Sequence, residues 1–149
     1  MDIFRLIMAD HAKVSDLFKQ LRRQKGSSQN RQQLFAQLKE ALELHAYAEE
    51  QVFYPALQEV DVTEDLAFEA MEDHRLVREL LAELATSSIH TPEWNEQLEI
   101  LEENVEEHVE EEETDIFDAA HQLLTAQQAA ELAERWQMAK QEQMARSAK

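Results

Sequence analysis

The chain has 149 residues with one glycine, two prolines and no cysteine, and its formal net charge is −18. The missing cysteine excludes disulfides, zinc–thiolate sites, iron–sulfur clusters and cysteine nucleophiles, and so few glycines and prolines leave little material for the tight turns of a β-protein. The acidic charge repels nucleic acid and anionic membranes, so we expect neither as a partner. No signal peptide or membrane-spanning run stands out, which favours a single cytoplasmic domain over residues 1–149.

The first two predicted helices are long and amphipathic. The first covers residues 2–25, with Asp2 as its N-cap, and a Gly-Ser-Ser sequence at 26–28 ends it. The second covers residues 28–58. Because a proline has no backbone N–H to donate, we expect Pro55 to kink or loosen the last turn of this helix.

Two further helices and a C-terminal fifth helix follow. The third is expected to begin after Thr63 and to reach Thr86. Thr91-Pro92 is typical of the N-cap and first position of a fourth helix. Thr125 is expected to cap the fifth helix, which should fray after about Ala145.

These elements predict an all-α fold. Apolar residues recur at helical spacing in each of the first four helices, and the links between helices are short. Such helices form an up-down-up-down four-helix bundle. We expect the bundle over residues 1–124 and an additional C-terminal helix over residues 125–145. Antiparallel packing would bring the middles of the four helices, where polar residues interrupt each apolar stripe, to one level.

Those interruptions are a repeated pair of histidines. The period is 63 residues, which relates His11 to His74 and His45 to His108 (74 − 11 = 108 − 45). Each second histidine opens a His-x-x-x-Glu motif that ends at Glu49 or Glu112, and residues four apart share one face of a helix. Two similar helix pairs indicate a pseudo-two-fold bundle with a site on its axis, rather than a solenoid.

The residue types at this level indicate a metal site. Burying an unpaired carboxylate costs several kcal/mol, and no lysine or arginine lies on the apolar stripes to neutralise one. Imidazole with carboxylate suits iron, manganese or zinc. The His-Glu-x-x-His motif of zinc proteases and the Glu-x-x-His spacing of ferritin-like centres are absent. The predicted metal ligands are His11, His45, Glu49, His74, His108 and Glu112.

With this set of residues the sequence resembles the hemerythrin-like proteins, also called the HHE cation-binding domain. The resemblance covers about residues 1–124 and includes the segment Glu49-Glu50-x-x-Phe53-Tyr54-Pro55. It implies a four-helix bundle that holds a non-haem di-iron centre. It further implies that the four histidines are terminal ligands and that Glu49 and Glu112 bridge two iron ions, together with an oxo or hydroxo group. Manganese or zinc would also suit these ligands.

The sequence departs from the oxygen-carrying members of that family. They have a fifth histidine one turn before the ligand of the third helix, where this chain has Ala70. The iron held by His74 and His108 would then keep an open position, or another residue would replace the missing ligand. Tyr54 and Tyr47 are candidates, although packing or the helix surface is the favoured interpretation of both. The acidic residues around the last motif are interpreted as a solvated face: Glu106, Glu107, Glu110, Glu111 and Glu113.

The resemblance implies a di-iron protein that binds, senses or reacts with a small oxidant such as oxygen, peroxide or nitric oxide. Two alternatives stay open: an iron storage or donation protein, and a di-iron enzyme that turns over peroxide or nitric oxide. Because the fifth histidine is missing, reversible oxygen binding is less favoured and these alternatives are more favoured. The expected partner is a small diatomic or peroxide ligand, and the sequence names neither a catalytic residue nor a protein partner.

Overall fold

The computed structural model describes residues 1–24 and 28–147, and it contains helices but no strand within those ranges. The predicted all-α fold is confirmed. Two long helical segments are each divided by a single π-helical turn, at Glu49–Phe53 and at Glu112–Ile116. The α-helices are α1 (Ile3–Arg23), α2 (Ser28–Ala48), α3 (Tyr54–Gln58), α4 (Asp61–Thr86), α5 (Pro92–Glu111), α6 (Phe117–Leu123) and α7 (Ala126–Ser147).

Most of the predicted helix starts are confirmed. The Asp2 carboxylate accepts a hydrogen bond from the backbone N–H of Arg5 at 3.0 Å, and Thr91 caps α5 through the N–H of Trp94 at 3.2 Å. The hydroxyl of Thr125 caps α7 in the same way. The predicted end of the first helix, at residues 26–28, lies mostly outside the described residues.

Two predicted boundaries were wrong. Helix α4 begins at Asp61, before Thr63, because the Thr63 hydroxyl donates to the carbonyls of Leu57 and Val60 and closes the link from α3. Helix α7 continues to Ser147 instead of ending near residue 145. The first difference lengthens α4 by three residues and the second lengthens α7 by two, close to the usual scatter of helix ends.

The bundle halves are unequal because of α7. Helix α1 packs on α2, and α4 packs on α5, as the pseudo-two-fold repeat predicts. Helix α7 lies against α1, α2 and the first π turn. It therefore covers the outside of one half of the bundle and buries Trp136 there. None of the described helices is long and apolar enough to cross a membrane.

The hydrophobic core forms two clusters on either side of a polar layer. One cluster joins the N-terminal end of α1 to both π turns and α7, and it includes Phe4, Phe53 and Trp136. The other joins the second half of α1 to α2, α4 and α5. Burying a large apolar side chain contributes roughly 1.5–3 kcal/mol. The two clusters therefore hold the helices rigidly above and below the layer that contains the histidines.

Candidate metal centre

The six predicted ligands converge in the polar layer between the two clusters. The histidines come from four helices: His11 from α1, His45 from α2, His74 from α4 and His108 from α5. The two glutamates are the first residues of the two π turns. All six are buried, and Glu49 and Glu112 are 0% exposed.

Each glutamate faces histidines of both halves of the bundle. One oxygen of Glu49 lies 3.1 Å from His45 Nε2 and 3.0 Å from His74 Nε2. The two oxygens of Glu112 divide between the halves, at 3.0 Å from His11 Nε2 and 3.5 Å from His108 Nε2. The ligand atoms form two groups, each within 4.8 Å: His11, His45, Glu49 and Glu112 in one, and Glu49, His74 and His108 in the other.

Several inward-facing atoms of this cluster form no hydrogen bond with any described residue, because the close contacts between the imidazoles and the carboxylates are poorly aligned. They are both Nε2 atoms of the first histidine pair and one oxygen of each glutamate: His11 Nε2, His45 Nε2, Glu49 Oε2 and Glu112 Oε1. A buried polar atom that stays unsatisfied costs about 1–3 kcal/mol. Converging imidazole and carboxylate lone pairs are the donor set of a divalent cation, and a bound ion would satisfy all of them. The residues present therefore fit a metal site.

A carboxylate holds the outer nitrogen of every one of these histidines. Nδ1 of His11 lies 2.7 Å from Glu113, and Nδ1 of His45 lies 2.8 Å from Asp10. The 63-residue repeat reproduces both pairs, at 2.7 Å for His74 with Glu50 and at 3.1 Å for His108 with Asp73. An ionised carboxylate can only accept, so it fixes the proton on Nδ1 and leaves the Nε2 lone pair directed inward.

These four carboxylates were not predicted as part of the site. Glu113 is the exception in the mostly solvated acidic face, because it is half-buried against His11. The signal was present in the repeat, since Asp10 and Asp73 occupy equivalent positions, as do Glu50 and Glu113. The repeat therefore includes the carboxylates that orient the histidines as well as the predicted ligands.

A family model places this arrangement among known proteins. The hemerythrin HHE cation-binding domain model matches residues 2–120. The chain belongs to this family. With the cluster of buried histidines and glutamates, the family supports a metal-binding site in this HHE domain.

Two individual proteins are similar to this HHE domain. A solved structure of a hemerythrin HHE cation-binding domain-containing protein from Mycobacterium kansasii superposes with a TM-score of 0.82 at 23% identity, covering 95% of this chain and 86% of that one. This likeness shows the fold. A curated protein of Nostoc, named a DNA nickase, is 31% identical over 140 residues. The match covers 94% of this chain but 39% of the relative, so the HHE domain spans about two fifths of that protein's length.

In the metal-free HHE domain, buried imidazoles and the carboxylates beside them stabilise each other's charged forms. Burial lowers the pKa of His45, but Glu49, Asp10 and Glu112 outweigh burial and raise it to about 10. Burial likewise opposes charge on Glu49, yet the neighbouring His45 holds the pKa of that carboxyl well below its usual range. The pKa values of His74 and His108 are raised against burial by the carboxylates beside them. A metal ion therefore has to displace protons from imidazoles.

Tyr54 packs in the first core cluster, as one interpretation predicted, and its hydroxyl also reaches the centre. Its hydroxyl donates to Glu112 at 2.6 Å and lies 3.3 Å from Nε2 of both His74 and His108. Burial, with Glu49 and Glu112 nearby, raises the pKa of this phenol well above its usual value. The other candidate, Tyr47, accepts a hydrogen bond from Arg146 at 3.4 Å on the outside of the bundle, as expected for a surface residue.

The π turn explains why Tyr54 reaches the centre. In a regular α-helix a residue five positions after Glu49 would point about 140° away from it. In the π turn the N–H of Tyr54 donates to the carbonyl of Glu49, so Tyr54 lies on the same face as that glutamate. The second π turn brings Phe117 to the same place beside Glu112. Phe117 has no hydroxyl, so the two halves of the centre differ at this position.

An apolar cavity of about 30 Å³ adjoins the centre on the side of the second core cluster. All four histidines line it, together with aliphatic side chains that include Val14, Val77 and Val105. Its volume is comparable to the roughly 30 Å³ that one water molecule occupies in the liquid. A molecule of two or three atoms fits beside the histidines.

Proposed function

We propose that this HHE domain holds two iron ions and that the centre binds or reacts with a small oxidant: oxygen, peroxide or nitric oxide. The observation that carries the proposal is the set of six buried donors, in which each carboxylate faces histidines of both halves. One cation in the group of His11, His45, Glu49 and Glu112 would leave His74 and His108 without a metal. Two cations account for the repeat, the orphaned atoms and the shared carboxylates together.

In this proposal each half of the bundle holds one ion. His11 and His45 hold the first and His74 and His108 hold the second, while Glu49 and Glu112 lie between them. The carboxylates on the four Nδ1 atoms keep the rings oriented and make the Nε2 atoms more basic. Iron, when bound, supplies electrons and Lewis acidity to a small ligand.

The position of Tyr54 changes which of the two metal ions we expect to be accessible. Ala70 is 2% exposed and offers no ligand, and the open position was expected on the side of His74 and His108. The Tyr54 hydroxyl occupies that side, 3.3 Å from both imidazoles. We therefore propose that Tyr54 stands in for the missing fifth histidine, and that the more accessible ion is the one beside His11 and His45.

The apolar lining of the cavity beside the four histidines suits a small uncharged oxidant better than hydrated ions, which favours small-oxidant chemistry over iron storage. The name of the Nostoc relative concerns a much longer protein, and the net charge of −18 on this chain disfavours DNA. The absence of a nucleic-acid partner and the cytoplasmic location stay predictions.

Metal analysis with optical spectroscopy tests the proposal. We expect metal-free protein, reconstituted anaerobically, to bind two Fe²⁺ per chain and its spectrum to change on addition of oxygen, peroxide or nitric oxide. The His11→Ala/His74→Ala variant removes one histidine from each half and should lose both ions. The surface variant His90→Ala, with an exposed histidine, is the matched control. A stoichiometry of one metal in the wild type, with all six ligands intact, would contradict the dinuclear centre.

A further inference from the structure

A surface groove between α1 and α5 leads to the metal centre from one side. It has a volume of about 350 Å³, and it is lined at its inner end by His11. That histidine is 8% exposed, and its Nε2 has no hydrogen-bond partner. Val14, Val105 and Val109 line both this groove and the cavity beside the histidines. Only the thickness of these side chains therefore separates solvent in the groove from the centre.

In the described part of the chain, unpaired acidic residues line the α5 wall of the groove toward its inner end. Glu106 and Glu110 lie one turn apart on the α5 wall, both are exposed, and neither forms an ion pair within residues 1–24 and 28–147. Glu113 lies at the inner end, where it holds His11. Glu102, at the outer end, pairs with Arg22. Like charges along a cleft concentrate their potential, so the groove attracts cations and repels anions.

The related face of the bundle, between α2 and α4, has much less open space. The 63-residue repeat maps most of the groove residues onto residues that line the cavity of about 30 Å³. The two faces differ in charge where Ser15 of the groove is replaced by Arg78 and Glu102 is replaced by Lys39. The Arg78 guanidinium donates to Glu50 at 2.9 Å and 3.0 Å, and it covers that face with a positive charge. The carboxylate of Glu110 is likewise replaced by the phenol of Tyr47.

We propose that the groove between α1 and α5 is the route by which divalent cations, Fe²⁺ among them, reach the metal centre. Glu106 and Glu110 draw the cation along α5, and the pair of Glu113 and His11 receives it at the inner end. Ser15 keeps the route open, whereas Arg78 blocks the equivalent face. The inference rests on the proposed metal centre, and it adds where the ions arrive and which half they reach first.

The first experiment closes the groove with the residue that covers the other face. Metal-free wild type and Ser15→Arg are mixed with Co²⁺ at low ionic strength, and loading is followed by stopped-flow absorbance. We expect Ser15→Arg to load roughly tenfold more slowly, with the same final stoichiometry and spectrum. Ala12→Arg adds the same charge to an exposed position of α1 outside the groove, and it should load at nearly the wild-type rate. Equal loading rates for Ser15→Arg and Ala12→Arg would overturn the proposal.

The second experiment removes the charges without adding bulk. Glu106→Gln/Glu110→Gln should load Co²⁺ more slowly at low salt, and the difference from wild type should vanish at high salt, where the Debye length is about 3 Å. Glu103→Gln/Glu107→Gln makes the same change of charge on exposed positions of α5 outside the groove. If the two double variants slow loading equally, or neither does, the route is wrong. If the wild type binds no Co²⁺ at all, the metal centre itself is wrong.

Discussion

Single residues decide how the two halves of the centre differ. The ligands and the carboxylates behind them follow the repeat, but Tyr54 corresponds to Phe117, and only Tyr54 carries a hydroxyl. That hydroxyl donates to Glu112 and approaches the imidazoles of one half alone. In the proposed metal centre, this one oxygen atom would give a nearly symmetric ligand set a protected side and an accessible side.

Tyr54→Phe tests this difference by making the two halves alike. We expect the oxidised, metal-loaded variant to bind more azide per chain than the wild type, because the hydroxyl that occupied the side of His74 and His108 is gone. An azide titration followed by optical spectroscopy measures the change. Tyr47→Phe removes a hydroxyl from the surface of α2 and should behave as wild type. Azide binding that is identical in Tyr54→Phe and wild type would show that Tyr54 protects no coordination position.

At the scale of elements, the π turns account for what the sequence did and did not predict. The four histidines and two glutamates were predictable because equal spacing within long amphipathic helices fixes which face they share. The place of Tyr54 was not, because it depends on a backbone hydrogen bond that shifts by one residue. Pro55 predicted an irregular turn in the second helix. The second π turn, however, has Asp118 at the equivalent position and forms without a proline.

Helix α7 contacts residues of the centre although it contributes none of the predicted ligands. The Trp136 ring packs against the ring of His45 with centroids 5.3 Å apart, and Lys140 donates to Asp10, the residue that holds His45. The sequence predicted this helix but not its contact with the centre, since only the packed structure shows which half it covers. The other half of the bundle has no equivalent helix among residues 1–24 and 28–147.

Lys140→Met tests the link from α7 to His45. Loss of the ammonium group frees Asp10 to shift, so His45 should hold its metal less firmly. Partners of this kind typically change metal affinity by about 10–100-fold. We expect one of the two ions to be removed faster by EDTA, and the second to be unaffected, as measured by metal release over time. Arg135→Met makes the same change of charge at an exposed position of α7 and should not alter release. Equal release of both ions from Lys140→Met would contradict the link.

At the scale of the whole molecule, the bundle encloses a charged layer between two apolar clusters. Metal ions would neutralise the layer when bound, and protons on the imidazoles do so when metal is absent. The stability of the metal-free protein therefore depends on keeping those protons. The groups around His45 are Asp10, Glu49 and Glu112, with Lys140 behind Asp10.

The pH dependence of unfolding tests this account in the metal-free protein. The pKa of His45 is about 10 in the folded protein against 6.5 as the ordinary value, so its contribution to stability is fully present below pH 6.5 and is lost as pH rises toward 10. We expect the melting temperature, followed by circular dichroism, to fall over this range. The melting temperature of the His45→Gln variant should fall less over the same range. That difference distinguishes the effect of this imidazole from general alkaline effects. The metal-loaded protein should also depend less on pH, because the ions have already displaced the protons. A melting temperature of the metal-free wild type that rises with pH, or that falls no more than in His45→Gln, would show that this imidazole is not held protonated by its carboxylates.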